Sequence, residues 1–145
     1  GAVDRGLVPL DAELVDGVPT RLNRLMSAGA LDVSVVSAVE YAHDADRFLL
    51  LPDLAITSDG PVRSVLLFSD APAESLGGRE VVVSTSSMTS VALLELLFEG
   101  VWRARPRFVP GDAEVGDLAR FEREPGRRPA RLVIGDAALL LTAGP

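Results

Sequence analysis

The chain has 145 residues, 48% of them apolar, enough to bury a sizeable core but short for two full domains. Its net charge of −7 and pI near 4.6 argue against nucleic acid, which calls for a basic stripe. All 14 basic residues are Arg, Cys is absent and His43 is the one histidine, which excludes Schiff-base lysines, thiol nucleophiles, disulfides and Cys- or His-rich metal sites. No apolar run approaches the ~20 residues of a membrane span, and the start, Gly-Ala-Val-Asp-Arg-Gly, carries no secretion signal. A cytoplasmic protein with no membrane partner is expected, although a first residue other than Met leaves the native N-terminus open.

In chain order, residues 8–15 alternate apolar positions and read as a strand. Gly17-Val18-Pro19 opens a helix, with Pro19 in the first turn, where its missing N–H costs little. Leu22, Leu25 and Met26 follow at helical spacing, and Gly29 suits the position just past the end. Residues 31–36 form a second predicted strand, and Ser37-Ala38-Val39-Glu40 opens the next helix as a capping box. Residues 48–51 and 62–68 read as further strands, and residues 70–78 as a turn-rich connector suited to a domain crossing.

Residues 81–83 are a short valine run leading into an apolar helical stretch through Ser84, Thr85, Ser86, Ser87, Thr89 and Ser90. A strand entering a helix this way leaves the first helical N–H groups pointing at whatever lies above the turn. Those donors and the helix dipole suit a carboxylate or phosphate. Ser86 or Ser87 could simply cap the helix, but six hydroxyls exceed what capping needs, so the cluster points to a small anion. Residues 107–109 form another strand, residues 111–129 a polar surface stretch with one short helix near 118–121, and residues 131–134 a last strand turning at Gly135-Asp136 into a helix over 137–141. There is no internal repeat. Short apolar strands alternating with helices indicate α/β architecture with mostly parallel sheets. Ligands of such sheets collect beyond the carboxyl ends of strands. Ser37, the 84–90 cluster and Gly135-Asp136 are three polar turns of that kind.

With those turns in view, the sequence resembles the chorismate dehydratase family, which opens the futalosine route to menaquinone. The resemblance rests on Gly17-Val18-Pro19-Thr20-Arg21-Leu22-Asn23-Arg24-Leu25 and on Leu31-Asp32-Val33-Ser34-Val35-Val36-Ser37-Ala38-Val39-Glu40-Tyr41. It continues through Leu50-Leu51-Pro52-Asp53-Leu54, Ser58-Asp59-Gly60, Ser64-Val65-Leu66-Leu67-Phe68-Ser69, Ser86-Ser87-Met88-Thr89-Ser90-Val91-Ala92-Leu93-Leu94 and Ile134-Gly135-Asp136-Ala137-Ala138-Leu139. Such a family implies a periplasmic-binding-protein type II fold, two α/β lobes closing on a ligand. Here residues 1–69 would belong to a first lobe and residues 70–145 to a second. Family members begin with another strand and turn and continue past Leu141, so the first lobe is expected to be incomplete and the chain to be about half a member.

The implied reaction removes water from chorismate to give 3-enolpyruvylbenzoate. It needs anion donors, a general base and a donor at the leaving oxygen, and no metal or organic cofactor. On this resemblance Ser87, Met88 and Thr89 hold a substrate carboxylate, Ser37 acts from the opposite lobe, and Ser64 from the crossing strand. At the last turn, Gly135 lines the site, and Asp136 either orients the leaving hydroxyl, acts as base, or is the N-cap of the last helix. The base could instead lie outside these residues or be a carboxylate of the substrate.

Glu40 reads most simply as the capping-box partner of Ser37, His43 as a solvated residue at a helix C-terminus, and Trp102 and Phe108 as core. Strand alternation turns Arg63 away from Ser64, and Arg120, Arg123, Arg127, Arg128 and Arg131, interleaved with acids, read as a solvated face. Two other functions compete. A related enzyme of the same pathway, 1,4-dihydroxy-6-naphthoate synthase, uses a histidine near its last cleft turn, where this chain has Ile134-Gly135-Asp136. A solute-binding module would close on a small anion without chemistry, and fold alone does not separate it from an enzyme.

Overall fold

The computed structural model describes residues 3, 5–111 and 129–143. Its helices are α1 (Pro19–Ser27), α2 (Ala38–His43), α3 (Met88–Gly100) and α4 (Asp136–Ala143). Its strands are β1 (Val65–Phe68), β2 (Glu80–Ser84), β3 (Arg107–Gly111) and β4 (Ala130–Ile134), in one sheet of order β1-β4-β2-β3. The strands β4, β2 and β3 run parallel, and β1 pairs antiparallel with β4 at the edge. The expected mixed α/β architecture with a mostly parallel sheet is therefore present.

Period-two alternation divides the sheet between two helices. Val81 and Val83 of β2, Ala130 and Leu132 of β4, and Val65 and Leu67 of β1 face the cluster built on Leu94 and Phe98 of α3. Val133 of β4, with Leu66 and Phe68 of β1, faces Ala137, Ala138 and Leu141 of α4. Phe98 is 1% exposed and meets Trp102 and Phe108 edge-on, with ring centroids 4.8 and 5.7 Å away. That geometry suits the aromatic quadrupoles, and both aromatics pack half-buried against the core that the sequence expected them to join. Outward on α3, Leu93 and Leu96 remain exposed.

Helix α1 ends as Gly29 foretells. At φ +71° Gly29 donates its N–H to the Met26 carbonyl at 2.9 Å, and Ala30 donates to the Leu25 carbonyl at 2.9 Å, the paired bonds of a Schellman cap.

Three predicted strands are corrected. Residues 8–15, 31–36 and 48–51 are irregular, and Leu10, Leu14, Val33, Val35, Leu49 and Leu50 lie exposed among them. The strand predicted over 62–68 is shortened to β1. A strand is held by a neighbour's hydrogen bonds, and among the described residues these three segments pair with no strand, so alternating apolar residues alone do not make one. The predicted helix near 118–121, and Arg120, Arg123, Arg127 and Arg128, lie outside the described residues. No helix among those residues is long and apolar enough to cross a membrane.

Candidate functional site

Register brings the polar turns to one edge of the sheet. Val81 pairs with Ala130 and Val65 with Ile134, so the C-terminal ends of β2 and β4 and the N-terminal end of β1 finish side by side. Ser64, Gly135-Asp136 and the turn after Ser84 leave that edge in adjacent positions. At a strand spacing of about 4.8 Å, the β1 and β2 ends are about 10 Å apart. The Gly135 N–H donates to the Ser64 carbonyl at 2.8 Å, tying two of the expected site residues together.

At the end of β2, the buried Ser84 shares a 2.8 Å hydrogen bond with the Ser86 hydroxyl and accepts the Ser86 N–H at 3.1 Å. Ser87 is the N-cap of α3. Its hydroxyl accepts the Ser90 N–H at 3.4 Å and donates to the Ser90 hydroxyl at 2.8 Å. The capping role thus accounts for the Ser87 side chain. The N–H groups of Met88 and Thr89 have no acceptor among the described residues, and Thr89 is half-buried.

Ser37 joins this edge through a residue the sequence reading passed over. Asn23, on α1, is 1% exposed. Its Nδ2 donates to the Ser37 hydroxyl at 3.0 Å and to the Met88 sulfur at 3.5 Å, and its Oδ1 accepts the Ser37 N–H at 3.2 Å. One buried amide therefore connects the N-cap of α2 to the first residue of α3. The signal was legible: Asn23 lies three residues before Met26 on the same helical face, and a polar residue there needs partners.

The capping box at α2 is half formed. Ser37 accepts the Glu40 N–H at 3.1 Å, but its own N–H goes to Asn23, and the Glu40 carboxylate accepts the Ser27 hydroxyl instead. A groove of about 640 Å³ runs beside these turns between α2, α3 and β3, and Ser84, Thr85, Ser87 and Met88 are among its lining residues. Exposed His43, in the last turn of α2, lines the same groove from α2 and Glu95 lines it from α3. Gly135, at φ +69°, precedes Asp136, which is the first residue of α4 rather than its N-cap; both are exposed. Arg63 is exposed and outside any strand. Chemically, this edge offers hydroxyls and free helical N–H groups, a donor set for carboxylates.

Comparison with known proteins matches a family described as menaquinone biosynthesis over residues 4–145. Chorismate dehydratase from Thermus thermophilus is 34% identical over 126 residues, which is 87% of this chain. The chain spans 43% of that protein's length. The resemblance carried by the sequence motifs is borne out, and the chain belongs to the menaquinone-biosynthesis family.

Proposed function

We propose that the protein works as a chorismate dehydratase, eliminating water from chorismate to give 3-enolpyruvylbenzoate. In this reading residues 1–69 and 70–145 contribute to two lobes of a periplasmic-binding-protein type II fold, with β1 as the strand that crosses between them. The observation that carries the proposal is the gathering of Ser37, Ser64, Met88, Thr89 and Gly135 at one sheet edge, in a chain related to chorismate dehydratase.

Chorismate carries two carboxylates, a ring hydroxyl and an ether. Met88 and Thr89 hold one carboxylate through their N–H groups and the Thr89 hydroxyl, and Ser37 donates from the far side. A base removes a ring proton, its electron pair forms the new ring double bond, and the neighbouring hydroxyl leaves as water once protonated. Aromatisation drives the step, so positioned donors and a modest base suffice. Asp136 is the base or the group that orients the leaving hydroxyl.

A second reading has its own support. The Asp136 carboxylate is exposed and has no hydrogen-bond partner among the described residues, so the same donors could hold a carboxylate with no chemistry following. Adding chorismate to the full-length protein and following aromatic product by absorbance, with and without EDTA, tests both readings. Product formation indifferent to EDTA is expected. Tight chorismate binding without product would move the protein to the binding module, and conversion that needs a metal would remove the cofactor-free mechanism.

A further inference from the structure

We propose that Asn23 is a positioning residue that turns the Ser37 hydroxyl into a fixed donor toward a bound carboxylate; this rests on the reading of Ser37 as a substrate contact. A serine hydroxyl has one proton and two lone pairs. At Ser37 both acceptor positions are filled, one by Asn23 Nδ2 at 3.0 Å and the other by the Glu40 N–H at 3.1 Å. The Ser37 N–H is spent on Asn23 Oδ1 at 3.2 Å, and its carbonyl accepts the Tyr41 N–H at 3.1 Å.

Only the hydroxyl proton is left, and it has no acceptor among the described residues. With both lone pairs occupied, Ser37 cannot accept from a ligand and can only donate. A carboxylate offers acceptors alone, so this hydroxyl favours an acceptor such as a carboxylate oxygen and disfavours a group that can only donate. The selection originates in Asn23, which is buried to 1% exposure and has its second Nδ2 proton on the Met88 sulfur at 3.5 Å. The amide cannot rotate without losing three contacts, so the orientation of Ser37 and the position of Met88 are set by one side chain. Preorganised donors of this kind cost no reorientation when the ligand arrives.

Asn23→Asp separates this role from a structural one. The aspartate keeps the shape and the Oδ1 acceptor for the Ser37 N–H, but it replaces the donor with a second acceptor. The Ser37 proton then turns inward to the new carboxylate and is withdrawn from the ligand. Chorismate affinity, measured by calorimetry on the full-length protein, should fall about ten- to a hundredfold in Asn23→Asp, as in Ser37→Ala. The double variant should lose no more than either single one, because both remove the same bond.

Benzoate serves as a second probe. A wild-type protein that binds benzoate but not chorismate removes the chorismate reading, and the same variants are then scored on benzoate. A protein that binds neither overturns this proposal as well. Unchanged affinity in Asn23→Asp, or additive losses in the double variant, would overturn the positioning role and leave the dehydratase reading intact. Should Asn23→Asp fail to fold, Asn23→Ala, which also removes the donor, takes its place. Loss of fold in both would make Asn23 purely structural and end the proposal.

Discussion

Gly135 and Ser64 lie 71 positions apart in sequence, yet the Gly135 N–H donates to the Ser64 carbonyl at 2.8 Å. The bond extends the β1–β4 ladder one step past Val65 and Ile134 and holds the start of α4 against the start of β1. It forms because Gly135 adopts φ +69°, a left-handed conformation that turns the chain from strand into helix within one residue.

Gly135→Ala tests that turn. An added Cβ would meet no atom within 4 Å, so the cost is backbone strain alone, about 1–2 kcal/mol. Denaturant unfolding should show that loss, and Gly135→Asn should recover part of it, since Asn tolerates the left-handed region. Equal stability of Ala and wild type would mean the turn relaxes to a negative φ.

Thr89→Val keeps the side-chain shape and removes a half-buried hydroxyl. In the proposed site it takes away one hydrogen bond to a charged group, worth about 1.5–3 kcal/mol. Chorismate affinity should drop roughly ten- to a hundredfold at unchanged stability. Unaltered affinity would leave the backbone N–H groups as the only carboxylate donors that α3 supplies.

Asp136→Asn separates chemistry from helix support. As a general base, the carboxylate contributes on the order of a hundredfold or more, so turnover should collapse while chorismate still binds. Retained turnover with a stability change of about 0.3–1 kcal/mol would reduce Asp136 to a favourable charge in the first turn of α4.

The stretch from Leu7 to Ile56 should behave as an adhesive surface. Leu49 is 99% exposed and Ile56 87%, with Leu7, Leu54 and Val33 each above two-thirds. Apolar surface of this extent binds hydrophobic dyes and promotes association. A protein comprising only these residues should enhance anilinonaphthalene sulfonate fluorescence and broaden on size-exclusion chromatography as concentration rises. A sharp, dye-silent monomer would show that these segments find partners in solution.

The sequence alone determined the elements whose signals are local. Pro19 and Gly29 bounded α1, Ser37 capped α2, the cap of α3 was narrowed to Ser86 or Ser87, and the valines of β2 marked a buried strand, because capping, turn conformation and β-branching act within a few residues. The motifs were also enough to identify the family. Tertiary structure decided what depends on partners. Residues 8–15, 31–36 and 48–51 carry strand patterns but pair with no strand, since a ladder needs a neighbour that sequence pattern does not supply. The link between Ser37 and Met88 was equally out of reach. Asn23 makes it across 14 and 65 positions, through a buried amide whose hydrogen bonds must be satisfied by whatever the fold brings near.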